Sequence, residues 1–346
     1  MRTPTKRKKR FATAFVVLAA INCLGCGASG VIPHEAKAAK ILSFSPPGAP
    51  NILLVVVDDL GYADISSFGG EISTPNIDAL AKRGISFTRF YAPMTCSPTR
   101  AMLMTGTDNH IAGLGNMAET ISDNQMELPG YEGYLNDRVV TVAERLRDAG
   151  YHTYMAGKWH LGLNYEQSAY ARGFERSFAL LYGAGSHFND MVGPDLHRSR
   201  ALYREDGELL ETLPDSFYST RFYTDRILEN IDSQLNDSKP FFAYLSYTAP
   251  HWPLQAPDDI IDKYQGRYDD GYDVIRAQRF ARMKKMGILH AHAELPPRPA
   301  FIPPWHSLTE KEKRKHAKTM EVYAAMVDEL DQNIGRVLRY LEHKRI

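Results

Sequence analysis

"NILLVVVDD", residues 51–59, sets an unbroken apolar, β-branched run directly against two carboxylates. A run of this kind predicts a strand buried on both faces, which is the habit of strands in parallel sheets. Two acids at its carboxyl end point to chemistry there, because ligand sites of open α/β sheets gather beyond the carboxyl ends of the strands.

Downstream of that run, strand and helix signals alternate. "TPNIDALAKRG" (74–84) reads as a helix with Thr74 as cap, Pro75 at its first position and Gly84 as its stop. "ISFTRFYA" (85–92) reads as a second strand, "VTVAERLRDAG" (140–150) as a helix that feeds the strand "YHTYMAG" (151–157), and 219–235 as a helix leading to the strand "PFFAYLSYT" (240–248). This alternation predicts an α/β fold: a mostly parallel central sheet with helices on both faces. Residues 258–318 are less regular, with a charged helix near 274–286 and a proline-rich "LPPRPAFIPPW" (295–305). Their apolar and aromatic content is too high for a linker, so they read as an excursion packed on the sheet.

A chain of 346 residues with 44% hydrophobic content can bury a sizeable core, and its formal net charge is zero. The charge is unevenly placed. Six Lys and Arg fall within "MRTPTKRKKR" (1–10), followed by the apolar "FATAFVVLAAINCLG" (11–25) and the small-residue pattern Ala36-Lys37-Ala38. This is the pattern of an export leader over residues 1–38, too short in its apolar part for a lasting membrane span. Its removal leaves 34 Lys and Arg against 40 Asp and Glu, a net of −6. Nothing then suggests nucleic acid, and export to a bacterial periplasm or beyond is expected. Cys23 and Cys26 form a CxxC that would raise a redox or zinc reading in a cytosolic chain, but both lie within the leader. A lipid anchor on Cys23 is the alternative, for which Ala20, Ile21 and Asn22 make a poor processing site. The mature chain keeps one thiol, Cys96, and can form no intramolecular disulfide.

Four strand ends deliver ionisable groups: Asp58 and Asp59, then Cys96 to Arg100, then Lys158 and His160, then His251. The adjacent carboxylates repel each other unless compensated, so they are either a solvated turn or the seat of a hard divalent cation. Lys158 and His160, two apart in an extended segment, place a cation and an imidazole on one side, which suits an anion. His251 stands between Pro250 and Pro253, whose rings fix the backbone on both sides of it. Cys96 precedes a helix starting near Ser97 or Pro98, whose positive end favours an anion, and Arg100 one turn on adds a fork of donors. The alternatives for Cys96 are a small buried hydrophobe and a thiolate nucleophile.

The string "CSPTR" (96–100) resembles the C-x-P-x-R signature of the type I sulfatases, of the alkaline-phosphatase-like superfamily. "TCSPTRAMLMTGTDNHIAGLGNM" (95–117) around it, with "PNILLVVVDDLGYADISSFGGEISTPNIDALA" (50–81), "GKWHLG" (157–162) and "APHWPL" (249–254) in the same order, extend the resemblance from about residue 48 to the last. It is most similar to the arylsulfatases. The resemblance implies that Asp58 and Asp59 bind a divalent cation, Ca²⁺ with Mg²⁺ as the alternative, and that Cys96 also faces the metal. It implies that a formylglycine-generating enzyme oxidises Cys96 to the formylglycine (3-oxoalanine) nucleophile. Arg100 and His160 would steady that group, Lys158 would bind sulfate, and His251 would contact sulfate or protonate the leaving oxygen.

The chain also departs from the family pattern. Family members carry an Asp-Asn pair of metal ligands after a later strand, whereas here the helix "MEVYAAMVDELDQNIGRVLRYLEHKRI" (320–346) runs to the final residue. Asp331 and Asn333 lie within that helix and are not expected to replace the pair. Residues 48–346 therefore read as the N-terminal part of the catalytic domain, with weak metal binding and little turnover of their own. Three functions compete: a sulfatase for aryl or other small sulfate esters, a phosphonate or phosphate-ester hydrolase using the same apparatus, and an inactive exported protein that binds sulfated ligands.

Overall fold

A computed structural model describes residues 48–194 and 199–346; the expected leader, with Cys23 and Cys26, lies outside the described residues. The strands are β1 (Ile52–Asp58), β2 (His152–Lys158), β3 (Arg176–Leu180), β4 (Tyr203–Glu205), β5 (Glu208–Leu209) and β6 (Phe241–Pro250). They form one sheet in the order β1-β6-β2-β3-β4-β5. The first four run parallel to one another, and the β3–β4 and β4–β5 pairings are antiparallel, which bears out the expected mostly parallel α/β sheet.

Alternation along the central strands divides the interior into two cores. On β6, Phe242 and Tyr244 face one side, while Ala243, Leu245 and Tyr247 face the other. The first side packs on helices α2 (Cys96–Thr105) and α3 (Val142–Asp148), through Ala101, Met104 and Ala143. The second packs on α4 (Ser219–Ser233) and α7 (Glu310–Lys344), through Tyr223, Ile227, Met326 and Leu330. Helix α3 opens with a full capping box, Thr141 accepting from the Glu144 N–H while the Glu144 carboxylate accepts from the Thr141 N–H.

Two expectations need correction and a third gains detail. Residues 85–92 form no strand. Their period-2 pattern is real, but a strand also needs a hydrogen-bonding edge, and no described strand pairs with them; Phe87, Phe90 and Tyr91 are exposed. Thr74 does not cap α1 (Pro75–Arg83) with its side chain; its hydroxyl bonds the N–H and hydroxyl of Ser66. The cap comes from α7, whose Asp331 carboxylate accepts from the N–H groups of Asn76 (3.1 Å) and Ile77 (2.8 Å). The 258–318 excursion, with α5 (Asp258–Ile261) and α6 (Tyr272–Lys285), leans on α7 and on the 61–71 loop as well as on the sheet's core, which Ile260, Ile261 and Tyr264 enter. Arg279 of α6 grips Glu71 (2.6 and 2.8 Å) and Asp64.

Candidate functional site

Cys96 is the first residue of α2, half-buried and free, with Thr95 as the residue before the helix. Its sulfur, a carboxylate oxygen of Asp58 and a ring nitrogen of His251 all lie within 4.8 Å of one another. Asp58 ends β1, Lys158 ends β2 and His251 follows β6, so three neighbouring strand ends and one helix start bring the groups together. The fourth contribution is therefore a helix start rather than the end of a strand.

Asp58 is the hub. One oxygen stands 3.3 Å from Arg100 Nη2 and the other pairs with Lys158 Nζ, all three side chains being buried. Burial pushes the Asp58 carboxyl up, but Arg100 and Lys158 outweigh it and hold the pKa below its ordinary value. Arg100 spreads its remaining donors over the Lys158 carbonyl (3.0 Å), the Tyr244 hydroxyl (3.1 Å) and the Ser246 hydroxyl (2.5 Å). Burial opposes its charge, yet Tyr244, Asp58 and Cys96 around it hold its pKa above the usual arginine value.

Two non-glycine residues here adopt left-handed backbone, Asp59 at φ 60° and His160 at φ 56°. Such residues are uncommon and cluster where the surroundings over-determine them. The strand ends at Lys158, so the extended-segment argument for His160 gives way to this turn. His160 Nε2 meets the Glu119 carboxylate at 2.8 Å, while its buried Nδ1 has no hydrogen-bond partner among the described residues. Buried Ser97 Oγ, beside Cys96, likewise has none. Burial raises the Glu119 pKa, but the His160 hydrogen bond and charge, a backbone hydrogen bond and Lys158 together outweigh it, and the net shift is downward.

His251 Nδ1 lies 2.7 Å from the Trp252 carbonyl, which can only accept, so this nitrogen carries the proton and Nε2 faces Asp59 Oδ2 at 3.5 Å. Behind it, His187 Nε2 donates to the His251 carbonyl (3.0 Å) and its Nδ1 accepts from the Ser219 hydroxyl (2.7 Å). Complete burial pushes the His187 pKa down to about 4, so this ring is neutral and serves as a strut.

The donor set suits a hard divalent cation in kind but not in number. Such ions take six to eight oxygens at the larger calcium end, whereas the described residues bring two carboxylates to this place, and one is already paired with two cations. Asp331 caps α1, and the Asn333 amide bonds Glu329, so neither reaches the site, as expected. The described residues do not complete a calcium shell.

Sequence reasoning missed Glu119, Tyr244, Ser246 and His187. Tyr244 and Ser246 could have been found, as polar groups two apart on one face of an apolar strand. Glu119 sits on an irregular stretch with no local signal.

Comparison with known proteins identifies the family. A family model described as Sulfatase matches residues 50–346. An uncharacterised sulfatase of Schizosaccharomyces pombe is 47% identical over 302 residues, covering 85% of this chain and 54% of that protein. An arylsulfatase of Klebsiella aerogenes is 42% identical over 294 residues, covering 85% of this chain and 62% of that protein. The crystal structure of Ps i-CgsB in complex with k-i-k-neocarrahexaose superposes with a TM-score of 0.60 at 27% identity, covering 86% of this chain and 55% of that one. The chain thus spans little more than half the length of these relatives.

Proposed function

Because the chain belongs to the sulfatase family, we propose that it carries the site for hydrolysis of sulfate monoesters, aryl sulfates foremost. The observation that carries this reading is the convergence of Arg100, Lys158, His251 and two carboxylates on Cys96. A sulfate monoester is an anion that repels nucleophiles, so its charge must be neutralised before attack. Arg100 and Lys158 are buried cations held at that place by Asp58, and Lys158 is the group to engage the sulfate oxygens. His251 in its imidazolium form, with Nδ1–H held by the Trp252 carbonyl, presents Nε2–H, from which a proton passes to the departing alcohol oxygen and leaves the neutral ring. Glu119 fixes His160 through Nε2, which leaves Nδ1 to steady an oxygen on residue 96.

Formylglycine at position 96, once hydrated, would offer a hydroxyl toward sulfur, and Asp58 and Asp59 would be this chain's share of the ligands for a divalent cation, Ca²⁺ in this reading, which would add positive charge. The half-buried thiol at a helix start fits that modification, which requires a formylglycine-generating enzyme as partner. Residues 1–38 direct export; no helix among the described residues is long and apolar enough to cross a membrane.

The test is turnover of nitrophenyl sulfate by chain produced together with a formylglycine-generating enzyme, with mass analysis of the peptide bearing residue 96. Turnover that disappears in Cys96→Ala, with formylglycine found at 96, is the expected result. Faster turnover of nitrophenyl phosphonate esters would move the assignment to phosphonate hydrolysis. Binding of sulfate esters with no turnover would make the chain a binder of sulfated ligands.

A further inference from the structure

We propose that a large apolar cavity beside this site seats the alcohol part of the ester, so that the substrates are sulfates of bulky apolar alcohols, rings or alkyl chains, rather than sulfated sugars. The inference rests on the sulfatase reading and adds the substrate class to it.

The cavity, about 780 Å³, lies between α6, the proline-rich 295–305 loop and α7, and its wall includes Phe280, Met283, Ile302, Trp305 and Met320. It falls in the size range of small-molecule sites. The charged and hydroxyl groups around it are mostly satisfied by the protein itself. Arg298 pairs with Asp273 (2.7 Å), Arg279 with Glu71, and the Tyr268 hydroxyl donates to Glu71 (2.9 Å). Sugar hydroxyls buried there would lose water without finding partners, a cost that apolar groups do not incur. Arg276, bonded to the Pro296 carbonyl at 2.7 Å, is the lining cation with no carboxylate partner among the described residues.

Three lining residues tie the cavity to the candidate site. Ala63 and Leu254 stand on the loops that follow Asp58–Asp59 and His251. Tyr323 of α7 places its hydroxyl 3.4 Å from the Asp59 carbonyl and 2.7 Å from Asp64 Oδ2. In this proposal an ester whose sulfur faces Cys96 and whose alcohol leaves past His251 lays its apolar body along this wall.

The experiment measures kcat/KM for n-alkyl sulfates from butyl to decyl, below micelle formation, beside nitrophenyl sulfate and a 6-sulfated monosaccharide. Calorimetric binding of the same alkyl sulfates to chain with unmodified Cys96 reads the seat independently of turnover. The expected result is a rise of about fourfold per methylene, in kcat/KM and in affinity, with the sugar sulfate poorest. Ile302→Trp and Met283→Trp, which fill the cavity from two different walls, should flatten the series in kcat/KM and in calorimetric affinity and lower nitrophenyl sulfate turnover with it, while the thermal midpoint and the formylglycine content at residue 96 stay at wild-type values. Arg276→Gln should leave the slope intact. A flat series in the wild-type chain, with nitrophenyl sulfate still hydrolysed, overturns the seat and spares the sulfatase reading. A slope that survives both tryptophan variants, or vanishes in Arg276→Gln, also overturns it, since the apolar body would then sit elsewhere or the sulfate would be held in the cavity. Hydrolysis of no sulfate ester at all would sink the sulfatase reading and the occupant with it.

Discussion

Asp58 carries one negative charge against two buried positive ones, and that imbalance makes it the residue on which both stability and metal affinity turn. Asp58→Asn leaves Arg100 and Lys158 buried without their counter-charge, and unpaired buried charges are costly. The expected loss is about 3–5 kcal/mol in urea unfolding. The sign with pH follows from its depressed pKa: the stabilisation is present above the ordinary value of 3.8 and is lost as pH falls through the lower folded value. The difference between wild type and Asp58→Asn should therefore shrink in acid below that point and persist at neutral pH. The same pairing weakens calcium binding, because the ion must displace cations from Asp58. At about 1 mM Ca²⁺ the wild-type chain should gain no more than about 0.4 kcal/mol, the value for a Kd near that concentration. Lys158→Ala, which removes one competitor, should show a larger calcium-induced rise in the thermal midpoint. An unchanged or smaller rise would show that Lys158 does not limit the metal.

Between elements, the decisive contacts are those that no single segment announces. The strands β1 and β6 were legible because each is a long apolar run ending in polar groups, β2 because a Gly-terminated helix feeds it, and the helices α3 and α4 because their periodicity was bounded. The short β4 and β5 carry no such run, and residues 85–92 show that a strand pattern without a partner remains a loop. Asp58, Lys158 and His251 were legible for the same reason as their strands, by position at the carboxyl ends. Glu119 was not, since its role comes from meeting His160 across the fold. Asp331 teaches the same lesson: read along the chain it is an acid inside a helix, yet in space it caps α1. Burial pushes its carboxyl pKa up despite these bonds. Asp331→Ala should cost about 1–2 kcal/mol, the usual range for a lost cap, and raise amide exchange in the first turn of α1. Exchange unchanged at Asn76 and Ile77 would refute the capping role. At Gly157, φ is 121° and an added Cβ would stand 1.8 Å from the Ser246 carbonyl oxygen. The β2–β6 approach that lets Ser246 reach Arg100 thus requires a residue without a side chain. Gly157→Ala should destabilise by about 3 kcal/mol and perturb nitrophenyl sulfate turnover more than Asp331→Ala does.

The whole molecule combines a well-buried pair of cores with an unusually apolar piece of surface. Ile85, Phe87, Phe90, Tyr91 and Met94 are 65–101% exposed within ten consecutive residues, immediately before Cys96. Beside a sheet whose β1 lies at one end of the strand order, this stretch exceeds the scattered apolar exposure ordinary for a monomer. Exposed apolar surface of this kind drives association, because each contact removes it from water without disturbing either core. Light scattering should therefore show concentration-dependent self-association of the chain. The double substitution Phe90→Ser, Tyr91→Ser should reduce it while leaving the thermal midpoint within about 1 °C, since surface changes away from packed contacts usually cost under 0.5 kcal/mol. A fall of several degrees in that midpoint would show that these side chains are packed against the fold rather than solvated. Association unchanged at an equal midpoint would place the sticky surface elsewhere on the molecule.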